Sequence, residues 1–260
     1  MSSRLNYNLI LTLVLINLVG SPQISADARL QARIYFAMNA IDRPEGDIDR
    51  DLDRNPGAVL DFLGIESGMT VLEIMAGAGY YTEMLSAAVG YDGKVYAQND
   101  IMMMRKRYGA IEKRITKRLR GNRLPNVEIL TQYITDLEFQ ESIDAATLIL
   151  NLHDLYIFGG EEEALNALNS IMQALKPGGI LGIVDHVGAP DQENNYLHRI
   201  DPVTVEELLF RAGFIVTGRS NILSNPEDNH SLHAFEADIR GKTDRLVIRA
   251  IKPNYSSIQR

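Results

Sequence analysis

From residue 70 onward the chain alternates two patterns. Apolar, β-branched runs of five to seven residues occur at TVLEI (70–74), KVYAQ (94–98), NVEIL (126–130), AATLIL (145–150), ILGIVDH (180–186), FIVTG (214–218) and RLVIRAI (245–251). Between them, apolar residues recur at helical spacing near 80–89, 104–120, 161–175 and 203–212. Short strands alternating with helices predict crossover units and a mostly parallel sheet. Right-handed crossovers place helices on both faces, a doubly wound α/β arrangement. Ligands in such sheets bind at the carboxyl ends of strands where the order reverses. The loops after Ile74, Gln98, Leu130, Leu150 and His186 are therefore the ones to inspect.

Residues 29–64 read as helical turns. EGDIDRDLDR spaces aspartates at 47, 49, 51 and 53, but a calcium loop would need Gly at Leu52 and a bidentate Glu at Ala58. Ile48 and Leu52 are one turn apart, which predicts a solvated helix with one apolar edge. NPGAVLDFLGI predicts a further short helix with Val59, Leu60 and Leu63 facing inward.

The first residues carry a different signal. Leu9 to Val19 are apolar apart from Thr12 and Asn17, Arg4 precedes them, and Pro22 and Ala26-Asp27-Ala28 follow. That run is short of the roughly 20 residues a bilayer span needs. It reads as a cleavable secretory signal over residues 1–28, with an exported product, periplasmic or extracellular. Residues 29–260 then form a single domain: a helical N-terminal extension (29–64) and an α/β core (65–260).

The chain has no cysteine, which excludes disulfides, thiolate metal sites and a cysteine nucleophile. Its formal charge is −8, which argues against a broad nucleic-acid surface. Charge is unevenly placed: residues 105–123 hold nine Lys or Arg and a single acid, Glu112. Met104, Tyr108, Ile111, Ile115 and Leu119 form one buried helical stripe, and the basic residues are assigned to the remaining surface. That surface is either simply solvated or a contact for an anionic membrane surface. Nothing in the sequence fixes the oligomeric state.

VLEIMAGAGYYTEML (71–85) holds the chemistry. A strand ends in Glu73-Ile74, then Met75, Ala76, Gly77 and Gly79 form a turn that opens a helix. The glycines let the backbone turn tightly and a ligand approach it. A dinucleotide fingerprint would need a third glycine where Thr82 stands. Two glycines in a strand–helix turn are also ordinary turn chemistry. The second strand ends in Asn99-Asp100, placed to bond ribose hydroxyls.

VLEIMAGAGYYT, GKVYAQND, NVEILTQYITDLEF, IDAATLILNLHD, LKPGGILGIVDH and EELLFRAGF, in this order over about residues 56–252, resemble the class I S-adenosylmethionine-dependent methyltransferases. With the N-terminal segment, the chain is similar to predicted bacterial methyltransferases that carry export signals. The resemblance implies a Rossmann-like, seven-stranded sheet whose last strand, 245–251, is antiparallel. It implies S-adenosylmethionine as cofactor, with Glu73 at the methionine moiety and Met75 replacing the family's first loop glycine. It puts Asn99 at the ribose-binding position and Tyr133 at the adenine.

In this fold the methyl acceptor lies beside NLHD (151–154) and VDH (184–186). Asn151 is a candidate cofactor contact, and His153, Asp154, Asp185 and His186 are candidate acid–base groups. His198, His230 and His233 lie in late segments without zinc-ligand spacing, so no metal is expected. The leading expectation is an exported methyltransferase acting on a small molecule or an envelope component. The alternative is a non-catalytic binding protein that keeps the fold, with a pocket reshaped at Met75, Asn99 and Tyr133.

Overall fold

The computed structural model describes residues 26–254, without the side chains of Ala26, Asp27, Met103 and residues 105–108. The segment read as an export signal lies outside the described residues up to Ser25. Among the described residues no helix is long and apolar enough to cross a membrane.

Four helices come first: α1 (Ala26–Met38), α2 (Glu45–Ile48), α3 (Asp51–Arg54) and α4 (Pro56–Leu63). The core follows as β1 (Thr70–Ile74), α5 (Tyr80–Val89), β2 (Lys94–Asn99), α6 (Ile101–Arg118), β3 (Val127–Thr131), β4 (Ile143–Ile149), α7 (Leu152–Ala174) and β5 (Leu175–His186). Last come α8 (Asn194–Leu197), α9 (Pro202–Arg211), β6 (Ile215–Ser220) and β7 (Arg245–Ile251). The seven strands form one sheet in the order β3-β2-β1-β4-β5-β7-β6. β7 runs antiparallel to both β5 and β6, as the resemblance implied. The order reverses between β1 and β4, so the cleft lies beyond Ile74 and Ile149.

Burial follows the patterns. β1 and β4 are apolar on both faces because helices cover both. One face packs against α7 and α9 through Leu72, Leu148, Leu168 and Leu209. The other packs against α1, α4 and α5 through Ile34, Leu60, Met84 and Val71.

Three expectations need correction. The aspartate-rich segment is not one helix with an apolar edge. It is α2 and α3, with Ile48 57% and Leu52 90% exposed while Asp47 is 1% exposed. The segment is turned by charge, because Asp47 pairs with Arg50 and, at 2.6 Å, with Arg118. Second, Arg118 is not on the basic surface. It is buried, pairing with Asp47 and Glu83 and donating from Nε to the Ala78 carbonyl at 3.0 Å. Lys113, Arg114 and Lys117 remain exposed. Third, NLHD is not a loop before a later helix. Asn151 caps α7, and His153 and Asp154 lie in its first turn, with Gly160 breaking the helix at φ +75°.

Candidate active site

The loop after β1 is held from below by the end of β2. Gln98 Oε1 accepts from Met75 N at 3.0 Å, and the Gln98 carbonyl accepts from Ala76 N at 2.8 Å. The amide of Asn99 accepts from Gly77 N at 2.8 Å and donates to the Gly77 carbonyl at 3.1 Å. Asn99 is fully buried, so both ends of its amide shape the loop. The hydrogen-bonding groups of the residue expected at the ribose are thus turned to the loop backbone. Asp100 is the half-buried acid at this strand end, where it accepts from Met102 N at 2.6 Å. Asn99→Asp should therefore destabilise the protein by about 1–3 kcal/mol, because an oxygen would face the Gly77 carbonyl. Thermal melts check this; unchanged stability with tighter cofactor binding would restore the ribose reading.

The two glycines do different work. Gly77, at φ +59°, lines the cleft beside Ala76. Gly79, at φ +85°, is buried, and a Cβ there would meet Arg118 Nε at 3.0 Å and Thr82 Oγ1 at 3.2 Å. Its smallness makes room for Arg118 and Thr82. Met75 holds φ +52°, a left-handed conformation that costs a side chain bearing Cβ on the order of 1–2 kcal/mol. Such strain is characteristic of functional sites.

A cleft of about 170 Å³ opens here. Its lining includes Glu73, Met75, Gly77 and Asn151, together with Arg50 and Arg54. Sequence reasoning missed both arginines, which come from the N-terminal extension. Arg54 stacks on Tyr80, 4.6 Å from the ring centroid, and Arg50 lies 4.9 Å from the same ring. Tyr80 OH donates to Asp51 at 2.8 Å and Tyr81 OH to the Arg54 carbonyl at 3.0 Å, pinning α3 over the loop. Burial pushes the Glu73 carboxyl up to about 8, against the Thr82 hydroxyl bond and the charges of Arg118 and Arg54. The cleft thus sets a buried acid near two guanidinium groups. Asn151 donates to the Ile149 carbonyl at 2.7 Å and more weakly to the Met75 carbonyl at 3.3 Å. Tyr133 is 42% exposed and not part of the cleft wall.

The acid–base candidates converge beyond Asn151. His153 Nδ1 bonds Asp185 Oδ1 at 2.6 Å, and Asp185 also accepts from the backbone N–H of His153 and of His186. Burial disfavours the His153 imidazolium, but the charge and hydrogen bond of Asp185, with Asp154, hold its pKa above the ordinary value. His186 is different. Burial pushes it down to about 3, and its Nδ1 contacts Thr243 Oγ1 at 2.6 Å. A base that weak is not suited to taking a proton at neutral pH. His198, from a late segment of the chain, packs against His153 with centroids 5.8 Å apart.

Residues 72–183 match the family model described as a methyltransferase domain. The fold is the Rossmann-like fold of the class I methyltransferases. The matched span runs from β1 into β5 and contains Glu73, the loop, Asn99, Asn151 and His153. Among solved structures, an S-adenosylmethionine-dependent methyltransferase from Aquifex aeolicus is 22% identical, with TM-score 0.58, covering 85% of this chain and 97% of that one. One from Mesorhizobium loti is 15% identical, with TM-score 0.53, covering 75% and 95%. The [4+2]-cyclase SpnF is 18% identical, with TM-score 0.56, covering 77% and 80%. No curated sequence matches the chain. A cyclase on the same fold shows that the fold does not fix the reaction of a methyltransferase domain.

Proposed function

We propose that this domain binds S-adenosylmethionine at the β1–β4 switch point and transfers its methyl group to a small molecule or envelope component. One observation carries the reading: Glu73 and the pair Arg50 and Arg54 line one cleft at the end of β1. The methionine end of the cofactor is a zwitterion, and this wall offers a carboxylate for its ammonium and guanidinium groups for its carboxylate. A cleft of about 170 Å³ takes that end alone, since sites for whole ligands usually enclose about 300–1,000 Å³. The adenosine then extends past Gly77 toward Asp100 and Tyr133. The acceptor side is the first turn of α7, where Asp185 orients His153 and Asp154 stands beside it. With residues 1–28 read as a signal, the enzyme acts outside the cytoplasm.

Both S-adenosylmethionine and its demethylated product should stabilise the protein. At a hundredfold excess over the dissociation constant the gain is about 2.7 kcal/mol, a melting shift of roughly 5–10 °C. No shift with either at millimolar concentration would end this reading. A second reading is favoured by the inward-facing amide of Asn99: the fold binds a ligand but transfers nothing. Binding without any methylated product in an extract of the native host would support it.

A further inference from the structure

The cluster beyond Asn151 is built from two distant parts of the chain. His153 and Asp154 come from the first turn of α7. His198 comes from the C-cap of α8, where it holds φ +51°. The fold brings one ligand-type atom from each to within 4.8 Å of the others.

Two of these atoms make no ordinary hydrogen bond. His153 Nε2 and His198 Nδ1 are both buried without a hydrogen bond among the described residues. Each lies 3.4 Å from Asp154 Oδ1, beyond the 2.7–3.2 Å of an ordinary N–H···O bond. His153 itself is 1% exposed. Buried polar atoms are nearly always satisfied, so two orphans aimed at one carboxylate call for an explanation. The spacing supplies one. Ligands about 2.1 Å from a tetrahedral ion stand about 3.4 Å apart, the distance found on both edges to Asp154.

The surroundings agree. A metal-bound imidazole usually gives its other nitrogen to a carboxylate, which fixes the ring and its tautomer. Asp185 does this for His153 at 2.6 Å and is itself fixed by two backbone N–H groups. Phe158 and Phe235 stand 5.7 and 5.2 Å from the His198 ring and wall the cluster with apolar surface.

We propose that His153, Asp154 and His198 form a binding site for a divalent transition-metal ion with the ligand preferences of zinc, oriented by Asp185. Two imidazoles and one carboxylate match the donor set of sites that keep a coordination position open for water or a substrate oxygen. The sequence hid this set because 44 positions separate Asp154 from His198 and no local spacing marks them. None of the three lines the Glu73 cleft, so metal binding is tested independently of the cofactor.

The full chain, without a histidine tag and stripped with a chelator, should take up one Zn2+ by calorimetry. It should take up one Co2+ with the intense visible bands of a low-symmetry, four- or five-coordinate ion. His198→Gln and Asp154→Asn should each weaken Zn2+ binding at least a hundredfold and abolish the cobalt bands. His198 is 21% exposed at its side chain, so its variant should keep the parent circular dichroism. Asp185→Asn should weaken binding tenfold to a hundredfold. His230→Gln, remote in partner and paired with Asp244, should bind as the parent does. Absence of stoichiometric binding by the parent, or parent-like binding by His198→Gln, would overturn the assignment.

Discussion

Arg118→Met should destabilise the protein by about 3–5 kcal/mol, the cost of removing one partner from a buried ion pair. Arg118 is 4% exposed and stands between Asp47 and Glu83, each of which would be left buried beside an apolar side chain. Arg50 still reaches Asp47 and Arg123 still reaches Glu83, so the loss should fall within this range rather than exceed it. For a domain of this size the melting temperature should drop by about 10 °C. The damage should also reach the site, because Arg118 Nε holds the Ala78 carbonyl of the loop. Adding Asp47→Asn and Glu83→Gln to Arg118→Met should recover part of the loss, since these variants remove the stranded charges. A melt within 2 °C of the parent would show that Arg118 does not lock α2 and α6 together.

The second large effect is expected at Glu73. In the free protein burial holds its carboxyl at about 8, so it is mostly protonated at pH 7. An ammonium ligand binds the carboxylate form, so its affinity should rise about tenfold per unit from pH 6 toward pH 8 and then level off. Stability of the free protein should move in the opposite sense. A folded pKa above the unfolded one means that the folded state keeps a proton the unfolded state has lost. Glu73's contribution is then whole below about pH 4.5 and disappears as the pH rises through about 8. Glu73→Gln should flatten both profiles. At pH 8 it should weaken cofactor binding about thirtyfold to a thousandfold, or about 2–4 kcal/mol. Calorimetric titrations of both proteins from pH 6 to 8 decide this; a flat parent profile would remove Glu73 from the ammonium position.

The strand–helix alternation from residue 70 determined the sheet, because burial of both faces leaves a periodic trace that needs no knowledge of distant contacts. Even the antiparallel β7 coincides with the expected 245–251, RLVIRAI. The turn at Gly77 and Gly79 was equally legible, since glycines between a strand and a helix mark a local backbone requirement. What those residues do was decided by tertiary contacts. Gly79 packs on an arginine 39 positions later, and the amide of Asn99 is taken up by Gly77, 22 positions earlier. Charged residues misled most. Sequence periodicity places charge on the surface by default, yet Asp47, Glu83 and Arg118 compensate one another inside. Only the packing of α2, α5 and α6 brings them within reach. Arg54 entered the cleft, and His198 met His153 and Asp154, for the same reason. Hydrophobic order is written locally along the chain, whereas a pairing of polar groups exists only once the fold has removed the water between them.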